Sequence, residues 1–390
     1  MKARGHRLAV VSLRRWADGY ENVTTFGLTD VPVLQVRYPR GGDLQLVKDT
    51  AGMVASRSMR GRPPRGWGQM RSELGLRQGT HEWVWSKRIS AFARQHGTDV
   101  VDAHWMSEAA QAARTLRLTE GTPFSVTCHG GDLGTPGLGP ISEAAAKVCP
   151  VSRYLARQLV EGWVDPFYPF KPLDNVVPSD KVRVRHHGLP GKTIASEPAS
   201  SGSAELTIAM TGRLDPQKRP IDLVEALGRL HSEFPRVRVV MIGGGVLEPE
   251  IRSRAKELGV IDRLTITGGL PWKDVIATLR QADLYVQPSQ WEGFGVAALE
   301  AASQGLPTVL TDTGAHADIA VEGKTGHVYQ PGDIDTLTQR LRELLLDADL
   351  RRTMGLAALT HVREQFVFED LMPGVEEMLE TIAGVTVHAR

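Results

Sequence analysis

Two carboxylates and two cations draw attention by their spacing. Glu292 and Glu300 stand eight residues apart in Glu-Gly-Phe-Gly-Val-Ala-Ala-Leu-Glu, with Gly293 and Gly295 between them. Glycine lets a ligand approach the backbone closely, and a helix beginning near Val296 would aim its free N–H groups at an anion such as a phosphate. Glu292, on the loop before that helix, suits hydrogen bonds from sugar hydroxyls. Glu300, about one turn inside, offers two oxygens to a ribose diol. Upstream, Gly212-Arg213-Leu214-Asp215-Pro216-Gln217-Lys218 sets two cations five residues apart. A planar guanidinium fork, a compact ammonium and an open backbone together suit a diphosphate. A third group is Thr127-Cys128-His129-Gly130-Gly131-Asp132. Its imidazole can hydrogen-bond a sugar hydroxyl or a leaving-group oxygen, and Asp132 could orient that ring. Cys128 reads as a small apolar residue, because neighbours at a strand end point apart. His104, in Asp102-Ala103-His104-Trp105, is a packing or capping candidate.

Each of these groups follows a short apolar run, and such runs alternate with helical patterns along the whole chain. Strands are expected at 7–12, 33–38, 100–103, 124–127 and 147–151, then at 206–211, 238–242, 264–267, 284–287, 308–311 and 327–329. Helical patterns cover 108–116, 152–161, 220–233, 249–258, 272–281, 296–304, 333–345 and 368–382. The alternation argues for an α/β protein with parallel sheets, whose ligands bind at the carboxyl ends of the strands. The stretch 188–205, rich in Gly, Ser, Ala and Pro, reads as a solvated connector between two halves. Glycine supplies 40 of 390 residues, roughly a tenth of the chain against a usual ~7%, and many stand where a strand turns into a helix.

Composition narrows the class. A chain of 390 residues has room for two domains. With 46 Lys+Arg against 45 Asp+Glu, the net charge of +1 argues against wrapping nucleic acid. Cys128 and Cys149, the two cysteines, form no disulfide framework and lack metal-ligand spacing, which fits a reducing cytoplasm. No apolar run reaches the length of a membrane span, and the apolar centre of the first 16 residues is too short for a secretory signal. From Arg57 to Arg94, nine Arg or Lys face only Glu73 and Glu82. Charge runs of this kind usually mark a solvated loop and helix, although contact with an anionic membrane or acceptor is the functional reading.

Together the first two motifs resemble those of the family 4 retaining glycosyltransferases of the GT-B fold. The resemblance covers most of the chain and is tightest over 208–329, where Ile242-Gly-Gly-Gly245, Thr267-Gly-Gly-Leu270, Pro288-Ser289 and Gly305-Leu-Pro307 belong to the same context. It implies two facing Rossmann-like domains with a cleft between them. Residues 1–187 would form the acceptor side, 188–205 the linker and 206–367 the nucleotide-sugar-binding domain. A helix and tail at 368–390 could return to the first domain. By the same resemblance Glu292 contacts the transferred sugar, Glu300 holds the nucleotide ribose, and Arg213 and Lys218 bind the donor diphosphate. Gly212, Leu270, Gly293, Phe294, Gly295 and Val296 complete the donor site. His129 matches a family histidine that faces the donor sugar, making His129, Glu292, Arg213 and Lys218 the catalytic set, with Asp132 and His104 on the acceptor side.

The implied reaction moves a hexosyl group from a nucleotide-diphosphate sugar to a hydroxyl of a glycan, a lipid-linked acceptor or a natural product, retaining anomeric configuration. It calls for no cofactor and no metal, since Arg213, Lys218 and a helix N-terminus can stabilise the leaving diphosphate. The expected location is cytoplasmic, with the 57–94 segment able to reach the inner face of a membrane. A sugar-nucleotide epimerase of the same fold and a non-catalytic sugar-nucleotide-binding protein remain alternatives, as fold does not fix chemistry. The start departs from the family pattern. Gly5-His6 introduces what reads as the family's second strand, so the first strand and its glycine loop are expected upstream of Met1, and as given the first sheet would lack a strand.

Overall fold

The computed structural model describes residues 10–14, 33–37, 88–106, 108–131, 138–162, 176–200 and 205–384. The chain divides into two compact units: 1–149 with 172–183 and 372–390, and 150–171 with 184–371.

In the first unit, β1 (Val10–Arg14) pairs in parallel with β2 (Val33–Arg37). A separate sheet has the order β3 (Val101–His104), β4 (Phe124–Cys128), β5 (Lys147–Pro150). Strand β4 is buried at all five positions, as expected of a parallel strand covered on both faces. The helix Glu108–Glu120 links β3 to β4, which run parallel. In the last helix, Phe368–Ala383, Val375, Met378 and Leu379 form an apolar cluster with Cys149.

The second unit is a six-stranded sheet in the order β11-β10-β9-β6-β7-β8, with every pairing parallel. Its strands are β6 (Thr207–Thr211), β7 (Arg238–Ile242), β8 (Leu264–Ile266), β9 (Leu284–Gln287), β10 (Thr308–Thr311) and β11 (Gly326–Tyr329). The chain runs outward from β6 through β7 to β8, then crosses back to lay β9 on the other side of β6. The strand order therefore reverses between β6 and β9, where an open parallel sheet leaves a crevice at its carboxyl edge. Leu223, Val224, Leu227 and Leu230 of the helix Pro220–Leu230 share one core with Leu337, Leu341 and Leu344 of the helix Ile334–Leu346. Truncating any of these leucines to Ala would cost about 2–5 kcal/mol.

The structure corrects the sequence reading in three places. The strand expected at 7–12 runs on to Arg14, and its residues 7–9 lie outside the described residues. An 18-residue helix, Ala348–Gln365, follows Ile334–Leu346 with Asp347 alone between them. Asp347 accepts a hydrogen bond from Leu350 N at 2.8 Å, an N-cap that starts the new helix without a Gly or Pro to mark the break. The Gly/Ser/Pro-rich stretch is also no loose connector over 188–200. Leu189 bridges to Val367, Ala195 N donates to Ser303 O at 2.9 Å, and Ala199 N donates to Gln304 O at 2.8 Å. Asp132 and the basic segment before residue 88 lie outside the described residues, while 88–94 belong to a helical stretch.

Candidate active site

The loop after β6 and the loop after β9 meet at the point where the strand order reverses. Gly212, φ +145°, turns the chain out of β6. Gly243 lies so close that a Cβ there would stand 1.9 Å from Gly212 O, so no larger residue fits. Asp215 caps the short turn Pro216–Lys218 by accepting from Lys218 N at 3.2 Å. The turn ends in Arg219, a non-glycine residue at φ +47°, held by Asp222 at 2.8 Å and Gln290 at 3.0 Å. Gln217 ties the two loops together: its Nε2 donates to Trp291 O at 3.2 Å, and its carbonyl accepts from Gln290 N at 2.7 Å.

These ties bring Lys218 Nζ onto Glu292 Oε1, an ion pair whose side chains are 16% and 8% exposed. The same oxygen accepts from Ser289 Oγ at 2.8 Å. Behind it, Gln287 Nε2 donates to Ser289 Oγ at 3.0 Å, and the Tyr285 hydroxyl donates to Gln287 Oε1. Glu292 N donates to Thr313 Oγ1 at 3.3 Å. One carboxylate oxygen is thus anchored by an ammonium and by a buried polar chain reaching back to β9. Burial raises the Tyr285 phenol above its ordinary range, which keeps that chain neutral. Arg213, by contrast, is 71% exposed at its side chain and rests on Asp215 at 3.2 Å and Gln217 at 3.0 Å.

The helix Val296–Ser303 starts from Gly295 in the left-handed region, φ +95°. A Cβ on Gly295 would strike the His316 ring at 2.8 Å. His316 is wholly buried, and burial holds its pKa down, so the ring is neutral. Its Nδ1 lies 2.9 Å from Thr311 O, an atom that only accepts, which assigns the proton to Nδ1. Glu300, in this helix, accepts from the indole N–H of Trp272 at 2.8 Å. Burial pushes the Glu300 carboxyl up, and the indole contact opposes that shift.

Within the second unit, then, Lys218 and Glu292 touch, Gln217 links Arg213 to the same loops, and Gly293, Gly295, Val296 and Glu300 carry the chain from Glu292 into the helix. The Phe294 side chain is buried against His187 (5.0 Å between centroids) and Phe366 (6.0 Å), so this donor-site candidate presents backbone only. In the first unit, His129 follows β4 and His104 ends β3, with ring centroids 5.7 Å apart. His104 Nε2 lies 3.6 Å from Asp102 Oδ2. Sequence reading missed the Tyr285–Gln287–Ser289 chain, His316 and Trp272. Of these only Trp272 left a usable signal, an aromatic residue directly after Gly268-Gly269-Leu270-Pro271.

Among the described residues no group of three or more His, Cys, Asp or Glu is placed to hold a metal ion, and no helix is long and apolar enough to cross a membrane.

Residues 193–360, the stretch that carries Arg213, Lys218, Glu292 and Glu300, match the family model described as Glycosyl transferases group 1. Over that stretch the chain is similar to this family. A D-inositol 3-phosphate glycosyltransferase of Nocardia farcinica is 32% identical over 221 residues, 53% of this chain and 46% of that one. A GDP-mannose-dependent alpha-(1-6)-phosphatidylinositol monomannoside mannosyltransferase of Mycobacterium tuberculosis is 29% identical over 44% of this chain and 47% of its own. The chain spans about half the length of these curated relatives. Among solved structures, a glycosyltransferase from Rickettsia africae superposes with TM-score 0.69 at 16% identity, covering 98% of this chain and 91% of that one. Anabaena Alr3699/HepE, solved in complex with UDP and glucose, gives TM-score 0.68 at 16% identity over 96% and 100%. The fold is therefore that of the GT-B glycosyltransferases, mixed α/β with parallel sheets in two Rossmann-like domains.

Proposed function

We propose that this chain is a retaining glycosyltransferase that moves a hexosyl group from a nucleotide-diphosphate sugar to a hydroxyl acceptor. The observation that carries the reading is the Lys218–Glu292 pair, set where β6 and β9 end and the strand order reverses. An ammonium held against a carboxylate in a partly dry site offers charge to a diphosphate on one side and an acceptor oxygen to sugar hydroxyls on the other.

In this reading Arg213 swings from Asp215 onto the donor diphosphate, joined by Lys218 and the N–H groups of Gly295 and Val296. Glu292 keeps Oε1 on Ser289 and presents Oε2 to the sugar. Glu300 receives the ribose diol. Charge that builds on the departing diphosphate is met by Arg213, Lys218 and the helix N-terminus. A leaving phosphate oxygen takes the acceptor's proton as the acceptor attacks on the same face, which retains configuration. In the first unit His129 keeps its assignment to the transferred sugar as a member of the catalytic set, and His104 and Asp132 are assigned to the acceptor. The acceptor classes compatible with this chemistry are glycan, lipid-linked and natural-product hydroxyls, and the proposed location is the cytoplasm, with the basic segment 57–94 reaching an anionic surface.

A thermal-shift screen with UDP-, GDP- and ADP-sugars tests the donor assignment, because a bound donor raises Tm by mass action. One of them should shift the wild type and not Glu300→Ala. No shift with any donor at millimolar concentration would overturn the reading. Conversion of the donor to an epimer without acceptor would replace it with the epimerase.

A further inference from the structure

Trp105 follows β3 directly with a left-handed backbone, φ +74°. Residues with a side chain rarely adopt that region, bulky ones least of all. The residue is 49% exposed, so burial compensates only in part. Two contacts hold it there. Trp105 N donates to Thr127 O at 2.9 Å, and the indole lies on the His129 ring with centroids 4.4 Å apart and planes 23° from parallel. A strained bulky residue left half in solvent gains little from apolar burial, and outliers of this kind gather at ligand sites.

The surroundings state what the ligand is. His104, whose ring tilts toward His129 at 5.7 Å, brings an imidazole to the rim. Asp102 places Oδ2 3.6 Å from His104 Nε2, while its Oδ1 accepts from Ser125 Oγ at 2.8 Å. His104 and Thr127 are register partners, so the plate sits at the carboxyl ends of β3 and β4, the ligand side of a parallel sheet. The result is an apolar plate edged by groups that donate and accept hydrogen bonds. Among the described residues, the groups that edge the plate are imidazole and carboxylate, not the Lys or Arg that a phosphate demands.

We propose that Trp105 is a stacking plate for the ring of a hexose or cyclitol, with the ring hydroxyls meeting His104 and Asp102. Such rings carry one face of C–H bonds that packs on an indole and an edge of hydroxyls that does not. Resting on the transferase reading, the ring is the acceptor's, because the motifs assigned to the donor's nucleotide and diphosphate lie in the second unit.

The test is saturation-transfer NMR on the full chain with methyl α-D-mannopyranoside, methyl α-D-glucopyranoside and myo-inositol, without nucleotide. Ring C–H protons should receive saturation from the wild type and from Trp105→Phe. Trp105→Gly, which accepts positive φ, should melt no lower than wild type and bind about tenfold more weakly or not at all. Wild type that transfers to none of the three probes overturns the proposal, as does Trp105→Gly that binds like wild type. Trp105→Gly that melts far below wild type assigns the indole to packing and overturns it as well. Donor binding is read separately by thermal shift, so failure of the transferase reading and failure of the plate are distinguishable.

Discussion

The indole N–H of Trp272 donates to Oε1 of Glu300 at 2.8 Å. That bond fixes the carboxylate through one oxygen, and in the proposed reading the other oxygen meets the ribose diol. Glu292 is treated the same way, with Lys218 and Ser289 both on Oε1. Each carboxylate of the nine-residue motif is thus clamped through a single oxygen.

Trp272→Phe keeps the ring and removes the donor. A hydrogen bond to a charged group contributes ~1.5–3 kcal/mol, so nucleoside-diphosphate affinity, read by calorimetry, should fall roughly tenfold or more. The loss should be smaller for a 2′,3′-dideoxy nucleotide, which has no diol to present. Equal losses for both would assign Trp272 to base contact alone.

Glu300 carries a cost in the empty site. Burial raises its folded pKa above 4.5, so the folded state binds its proton more tightly than the unfolded state does. Stability from this group is full below pH 4.5 and lost as pH rises through the folded value. Glu300→Gln should therefore melt a few degrees higher than wild type at neutral pH, with the advantage vanishing below pH 4.5, while nucleotide binding collapses. A lower Tm at pH 7 would contradict the argument.

Asp318 works with the opposite sign. Burial alone would raise its pKa, but the His186 imidazole, a hydrogen bond from Arg153 N and the Arg153 guanidinium together hold it below 3.8. Its contribution is present above pH 3.8 and lost as pH falls through the lower folded value. Asp318→Asn should cost about 2–3 kcal/mol at neutral pH, and denaturant curves of the two proteins should converge in strong acid.

Breaking the Lys218–Glu292 pair from one side leaves a lone charge in a mostly dry site. Lys218→Met should destabilise by about 3 kcal/mol, and adding Glu292→Gln should recover much of that. Urea titration of the two single variants and the double variant measures the coupling. Additive losses would mean the ion pair contributes little.

Ser289→Ala removes the neutral anchor of Glu292 and leaves Lys218 in place. The expected signature is a fall in kcat of about 10-fold together with a stability loss of about 1–3 kcal/mol, since Gln287 Nε2 loses its buried acceptor. An unchanged kcat would leave the Tyr285–Gln287–Ser289 chain as packing only.

The strands and most helices of the second unit were legible because each strand is a short apolar run followed within three residues by Gly or Pro, and each of those helices carries a 3.6-residue pattern. The helix Ala348–Gln365 was not, because its start is a single capping Asp347 inside an unbroken helical composition. The donor motif was legible for a related reason: Glu292 and Glu300 are close in sequence and keep their spacing on one loop and one helix. Trp272 and Glu300 are 28 positions apart, and Thr311 reaches His316 only through a buried turn. No periodicity encodes such pairs, which exist only once parallel strands bring their carboxyl ends to one edge. Trp105 was visible as a residue, but its positive φ is a property of the folded backbone.

The strap at 188–200 bears on how this gene can be divided. Its backbone hydrogen-bonds Ser303, Gln304 and Phe366, and Pro198 fills the space that a side chain at Gly305 would need. An expression fragment cut at Glu205, where composition suggests a seam, would strip those carbonyls of their donors. A fragment beginning at Val184 keeps the strap, but it leaves out 150–171, which belongs to the same unit. The second half is therefore discontinuous in the gene, and no single cut releases it whole.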